Sequence, residues 1–379
     1  MLNNDGHNNW EIILGLVVAT LLARVIYNLA YVNDDRYLGS VGLLPERKCN
    51  YYQGYDEFLA PLPFLWCWLD IFAALFIGDY FQHPAIFLGL AVWVAGRMRA
   101  LQEIGHIAVH YGLCRSQSWQ SILGNVFFQY PIFKRSFKSR RVVHVKEHHR
   151  NPNVAGKDPN IQRIIAAGLV PGISASTFYK KILFPLSVKG IGLTFKAIWD
   201  GISESDTITA RLVRLVVTFG LMSVFAYVGG WESLFWLYIV PLILFYPLFS
   251  WVSLMTEHRW FAEMDFTNRV MMECSACRPT EFRGVSGFVL KQIIFPYSDH
   301  YHLAHSLYPI LRWNHLPAVD RELRLHEPAY AKHASHGLLF TSGSIPSALS
   351  ELKQRLTADS KTRPETEPDM SDDNLEKGL

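Results

Sequence analysis

Apolar residues gather in long segments along this chain instead of alternating with polar ones. Residues 11–32 carry Glu11, Arg24 and Asn28 as their strongly polar members. That stretch is long enough to cross the ~30 Å hydrocarbon core of a bilayer. Arg24 sits past its middle, where a long stem can carry the charge toward the interface. A helix lying in the interface is the alternative. Residues 62–78 and 84–94, the latter extending to Arg97, predict a helical hairpin turning at 78–84. Asp70 lies inside its first arm. An acid there is costly and faces the protein interior, as a functional polar contact or as a structural hydrogen bond. Residues 211–229 and 234–255 predict a second hairpin around Gly229-Gly230-Trp231, its second arm kinked by Pro241 and Pro247.

The pattern therefore predicts an all-α integral membrane protein with two transmembrane hairpins and an extra N-terminal membrane helix. Between these elements, 33–60 and 261–299 read as polar loops. Residues 119–133, interrupted at Gly124-Asn125, and 161–200, broken by Gly and Pro, read as interfacial helices. The chain from Ser342 is polar, with a short helix to Leu356 and disorder from Asp359. Three segments result: 1–60, a membrane domain 61–341, and a tail 342–379.

Sidedness follows from charge. Residues 134–150 hold Lys134, Arg135, Lys138, Arg140, Arg141, Lys146 and Arg150 against Glu147 alone, which places them in the cytosol. If both hairpins turn on the opposite side, every histidine cluster falls on the cytosolic face, in a helical cap. Half the residues are hydrophobic and 18% are charged, below the roughly 25% of soluble domains. The net charge of +3 is too small to argue for a nucleic-acid partner. Of five cysteines, Cys274 and Cys277 form a lone Cys-x-x-Cys, which reads as two reduced thiols and not as half of a zinc knuckle. The N-terminus lacks the basic region of a cleavable signal.

The chemistry lies in the histidines. Glu103-Ile-Gly-His106-Ile-Ala-Val-His110 places two imidazoles one helical turn apart. His144, His148 and His149 follow, then His258 after the last apolar segment, then His302 and His305. Spacings 106/110, 144/148 and 302/305 can each bring two imidazoles to one face. Neutral imidazole suits zinc, copper, iron and nickel, and eight exceed what one tetrahedral zinc takes. Glu103, Glu147, Glu257 and Asp299 are the acids that could orient these rings. His300 neighbours the third cluster but would face elsewhere. His7, His83, His315, His326, His333 and His336 read as loop or surface residues.

The order Gly-His-x-x-x-His, His-x-x-x-His-His, an isolated His258 and Tyr301-His302-x-x-His305-x-Leu-Tyr-Pro309 resembles the membrane fatty acid desaturase/hydroxylase superfamily. His149-Arg-Asn-Pro-Asn, Lys157-Asp158-Pro159 and Trp313 with Leu316-Pro317 add to the likeness, which covers roughly 60–325. It implies two non-haem irons on His106, His110, His144, His148, His149, His258, His302 and His305, with dioxygen as co-substrate. The third box normally ends in His-His, and here Ser306 takes the last place. Asp299, His300 or water then stand in for the missing ligand, with Asp70, Glu103 and Glu257 as further substrate or supporting residues.

The resemblance implies desaturation of a lipid- or carrier-linked acyl chain in a bacterial inner membrane or the endoplasmic reticulum. A hydroxylase on the same scaffold is the nearest alternative. An inactive homologue marked by Ser306, or a non-enzymatic membrane metal or haem protein, stands further off. No haem-attachment, rubredoxin or dinucleotide motif is present, so electrons would come from a separate ferredoxin or cytochrome b5 type donor.

Overall fold

The computed structural model describes residues 7–32, 52–204, 207–341 and 344–357. In chain order its helices are α1 (His7–Tyr31), α2 (Leu62–Phe81), α3 (Pro84–Val109), α4 (Gln117–Gly124), α5 (Phe137–Arg141), α6 (Pro159–Ala166), α7 (Ala175–Ile182) and α8 (Val188–Ser203). They continue as α9 (Ile208–Leu234), α10 (Tyr246–Glu257), α11 (Arg269–Ala276), α12 (Gly284–Ile293), α13 (His302–Leu307), α14 (Leu316–His326) and α15 (Ala348–Thr357). The described strands, β1 (Thr280–Glu281) and β2 (Ser335–His336), form one parallel pair. Contacts divide the described chain into two compact units. The first draws on 7–32, 52–138 and 194–249, the second on 139–193 and on residues from 250 onward.

In the first unit α1 lies along α2 and is tied to the segment 56–81 by three polar links. Asn9 Nδ2 donates to Asp79 Oδ2 at 3.2 Å, Arg24 Nη2 to Asp70 Oδ2 at 2.7 Å, and Tyr31 OH to Asp56 Oδ1 at 2.6 Å. Arg24 thus pairs within the protein instead of reaching for the interface. The other face of α1 exposes Leu14, Val17, Leu21, Leu22 and Leu29, as a helix in lipid would. Asp56–Leu59, within the segment read as a loop, is a helical turn; residues 33–51, Cys49 among them, lie outside the described residues.

The turn between α2 and α3 is shorter than the sequence suggests. Gln82 takes a left-handed conformation (φ 43°), and His83 caps α3, its ring accepting from Ala85 N. Gly78 belongs to α2, where a Cβ would come within 2.9 Å of Leu237 and Phe87. α3 passes Arg97 and runs to Val109, so it carries His106 in its last turn. Gly124-Asn125 does not interrupt its helix, which widens into a π turn over Asn125–Gln129.

α9 breaks at Gly230 (φ 69°, ψ −175°), a conformation open to glycine. The two arms then pack together. Phe225 and Tyr238 rings lie 5.4 Å apart, Thr218 Oγ1 donates to Tyr130 O at 2.9 Å, and Tyr238 OH donates to Pro131 O. Pro241 opens the second of two π segments, Phe235–Ile239 and Pro241–Phe245. Asn9–Tyr31, Asp56–Phe81, Pro84–Val109 and Ile208–Glu257 are long and apolar enough to cross a membrane. The chain is an all-α membrane protein.

The second unit is built of short helices. The stretch 261–299 is not a loop: it folds into α11, β1 and α12. Asn268 starts α11 by accepting Met271 N at 3.0 Å, an N-cap that offsets the helix's weak apolar pattern. Cys274, Ala276, Cys277, Leu303, Ala304, Leu307 and Val319 share a buried core. α15, inside the segment read as a tail, buries Leu349, Leu352 and Leu356. Its Glu351 pairs with Arg259, Arg278 and Arg355. Arg278 in turn donates to His258 O at 3.2 Å. Residues from 358 onward, where disorder is expected, lie outside the described residues.

Candidate metal centre

The second histidine cluster sits on a π-helical segment, Val142–His148, that continues α5. In a π turn the backbone bond runs to i+5, and His149 N donates to His144 O at 3.1 Å. The imidazoles follow the backbone. His149 Nε2 lies 3.1 Å from His144 Nε2, while His148 is sent to other partners. An α-helical reading pairs 144 with 148; the wider turn pairs 144 with 149 instead.

His148 is buried, and its Nδ1 lies 2.8 Å from Asp158 Oδ1. That carboxylate is itself fixed. It accepts Asn153 N at 2.9 Å and caps α6 by accepting Asn160 N at 2.8 Å. Burial alone would hold His148 neutral; the Asp158 charge, with Glu257 and Glu273 behind it, outweighs burial and raises its pKa.

His258 leaves the end of α10 and bridges to Cys277. Its Nδ1 lies 3.3 Å from Cys277 Sγ, and its Nε2 lies 3.0 Å from His302 Nε2. The His148 ring stands 4.7 Å away, and Trp260 packs at 4.8 Å. Burial, together with His148, His149 and Arg278, drives His258 well below the ordinary histidine range, so the ring is neutral. One nitrogen each from His148, His258 and His302 lies within 4.8 Å of the others, and all three residues are buried.

The third cluster follows a sharp turn, with Tyr297 (φ 52°) and Ser298 (φ 61°) both left-handed. His302 and His305, both buried, then go to different groups. His302 joins His148 and His258. His305 joins His144 and His149, with all three offering a nitrogen within 4.8 Å. Beside His302 stand Glu257 and Asp299, each with a carboxylate oxygen 2.7 Å from Ser253 Oγ. His300 belongs to neither trio. Its ring packs on Tyr301 and Phe282, and burial with Lys291 lowers it to about 3. Ser306 is buried against Cys277, its Oγ 3.8 Å from Sγ. His315 is buried, not a surface residue.

The two trios are neighbours. His148 and His149 ring centroids lie 5.4 Å apart, and those of His302 and His305 5.9 Å. The donor set fits metal ions. Cis ligands at bonds of about 2.1 Å stand roughly 3.0 Å from one another, close to both Nε2–Nε2 separations. A hydrogen bond can use one proton between two such nitrogens, whereas a cation takes the lone pairs of all three. The His148–His258–His302 trio also has an orienting partner of the kind that metal-bound imidazoles use, Asp158 behind His148.

In the first unit His106 and His110 lie 5.4 Å apart by ring centroid at the end of α3, His110 being its C-cap. His106 Nδ1 is 2.9 Å from Glu103 Oε2, and Arg99 holds Glu103 from one turn earlier. Gly105 lets Phe128 lie against the helix: a Cβ there would meet the ring at 2.7 Å. Asp70 is engaged elsewhere, by Arg24 at 2.7 Å and Arg97 at 3.5 Å. Glu147 offers its carbonyl to Asn151 Nδ2 and joins no group of converging ligand atoms.

Sequence reading missed Asp158 as a partner of His148, as well as Cys277, Ser253 and the buried Glu273, whose carboxyl burial raises to about 7. Asp158-Pro159 carried a signal, since Asp before Pro is a helix start and its second oxygen remains available. Cys277 and Ser253 carried none.

Comparison with known proteins supports the same conclusion. The family model described as Fatty acid desaturase matches residues 82–336, which contain all eight histidines. Dihydrorhizobitoxine desaturase of Bradyrhizobium elkanii is 28% identical over 314 residues, covering 78% of this chain and 80% of that one. With two-thirds of its length matched and its histidines arranged as described, this chain belongs to the fatty acid desaturase family and is a desaturase-like oxidoreductase.

Proposed function

We propose that this protein holds two non-haem irons on its histidines and uses dioxygen to place a double bond in a lipid- or carrier-linked acyl chain. The observation that carries this reading is the pair of adjacent imidazole trios within one unit. The stoichiometry balances: two hydrogens from adjacent carbons, two electrons and two protons reduce dioxygen to two waters. Bound iron supplies the oxidising power needed for an unactivated C–H bond.

The protein's own residues have narrower tasks. His144, His149 and His305 hold one ion, and His148, His258 and His302 hold the other. On the order of the boxes along the chain we assign His106 and His110 as ligands too. Asp158 keeps the His148 proton on Nδ1 and its Nε2 toward metal. Glu257, Asp299 and Ser253 buttress the His302 side. Trp260, fully buried on His258, keeps water from that ring. Electrons come from a separate carrier of ferredoxin or cytochrome b5 type. The basic run 134–150 sets this face in the cytosol and suits an acidic carrier.

The relative's name favours desaturation over hydroxylation. It also names dihydrorhizobitoxine, which makes a substrate other than an acyl chain the second reading. The test is iron analysis of detergent-purified protein, with analysis of lipids and small metabolites from an expressing host. About two irons per chain and new unsaturated lipids are expected. Folded, unstripped protein without iron, from a host with unchanged lipids, would overturn the proposal. New unsaturation confined to a small metabolite would favour the second reading.

A further inference from the structure

The Cys274-x-x-Cys277 pair and Ser306 stand outside the function argued so far, yet the structure joins them to it. Cys277 Sγ lies 3.3 Å from His258 Nδ1 and 3.8 Å from Ser306 Oγ. Cys277, Ser306 and His258 are all buried, at 0%, 1% and 1% exposure, so water cannot replace any of these contacts. Backbone pairing holds the arrangement in register: His258 and Cys277 form a β-bridge, and Arg259 N donates to Ala276 O at 2.6 Å.

We propose that Cys277 is the positioning residue for His258: its thiol, capped by Ser306, holds the imidazole with the proton on Nδ1 and Nε2 presented to metal. This rests on the metal reading above. We assign the two contacts one direction. Nδ1–H donates to the sulfur, and the S–H donates to Ser306 Oγ. Cys277 is not among the groups whose ligand atoms converge, so it acts through His258 and not as a ligand.

Ser306 then has a role of its own. A hydroxyl at 306 leaves room for the Cys277 sulfur beside His258, which an imidazole would have to displace. The Ala276 carbonyl also bonds the His258 ring, and it is the competing orienting group.

The experiment compares parent protein with Cys277→Ala, Cys277→Ser and Cys274→Ala, each purified with iron and shown to be monodisperse. Two readouts are taken: the rate of iron loss to a chelator and the Mössbauer spectrum of the ferrous protein. Cys277→Ala should lose one iron roughly tenfold to a hundredfold faster and shift one of two ferrous signals. Cys277→Ser, still able to accept from Nδ1, should recover most of the difference. Cys274→Ala, which removes the other buried thiol of the motif, should match the parent.

If Cys277→Ala matches the parent, Ala276 suffices and the inference falls while the metal reading stands. Equal losses in all three variants would make sulfur packing the cause, and the inference again falls. Parent protein that holds no iron would overturn the metal reading and this inference with it.

Discussion

In the first unit long helices do the organising; in the second, hydrogen bonds between short pieces do. α1, α2, α3 and α9 run 20 to 27 residues each, and much of their surface is exposed and apolar. The longest described helix lying wholly in the second unit, α14, has 11 residues. That unit is fastened by Asp158, Asn153, Ser253, Cys277 and the Glu351 arginine cluster. Lipid rewards length, apolarity and internally satisfied backbone, which the first unit's long helices supply. A cluster of imidazole nitrogens 3.0 Å apart tolerates little. Its rings must be held by directional bonds, which short elements and irregular turns supply. The comparison predicts that damage to the two units will be read by different instruments.

The largest effect expected is at the ligands. His302→Ala removes a nitrogen from the trio with His148 and His258, and it should abolish turnover and empty at least that metal site. Membrane insertion should survive, because the spans do not depend on the imidazole. Near-normal iron content in that variant would break the assignment. Asp158 comes next, and two substitutions separate its two jobs. Asn at 158 still caps α6, so stability should hold, but the charge that orients His148 is gone. Metal affinity should fall roughly tenfold to a hundredfold. Ala at 158 should show the same metal defect plus a loss of about 1 kcal/mol in thermal unfolding. Equal metal retention in the two variants and the parent would show that the carboxylate serves the cap alone.

This contrast also explains what was legible in the sequence. The spans were, since apolar runs of that length have few other uses, and so was the hairpin turn at Gly229-Gly230. The eight histidines were visible by residue type and order. Their sorting into trios was not. The π turn at Val142–His148 pairs 144 with 149, and no local propensity announces a π turn. α11 and α12 were missed because eight to ten residues of mixed character look like loop until an N-cap and a core fix them. α15 reads in the sequence only as a short helix, and its part in holding the His258 backbone rests on Glu351, an acid that any polar tail could contain.

The smallest effect, and the one that tests the separation most sharply, is expected at Asp70. It is the shared counter-charge of Arg24 and Arg97 in the first unit. Arg97 is buried and also sits over the Trp93 ring at 4.4 Å, so it cannot move to water when its partner is lost. Breaking a fully buried pair costs about 3–5 kcal/mol. The Arg24 side chain, 34% exposed, can relax toward headgroups, so the cost should fall below that range. Asp70→Asn should therefore lower the thermal midpoint in detergent while leaving iron content and the ferrous spectrum unchanged. A parallel loss of iron would mean that α1 and α2 carry the metal site's geometry as well as their own, and the distinction between a lipid-organised and a bond-organised unit would have to be abandoned.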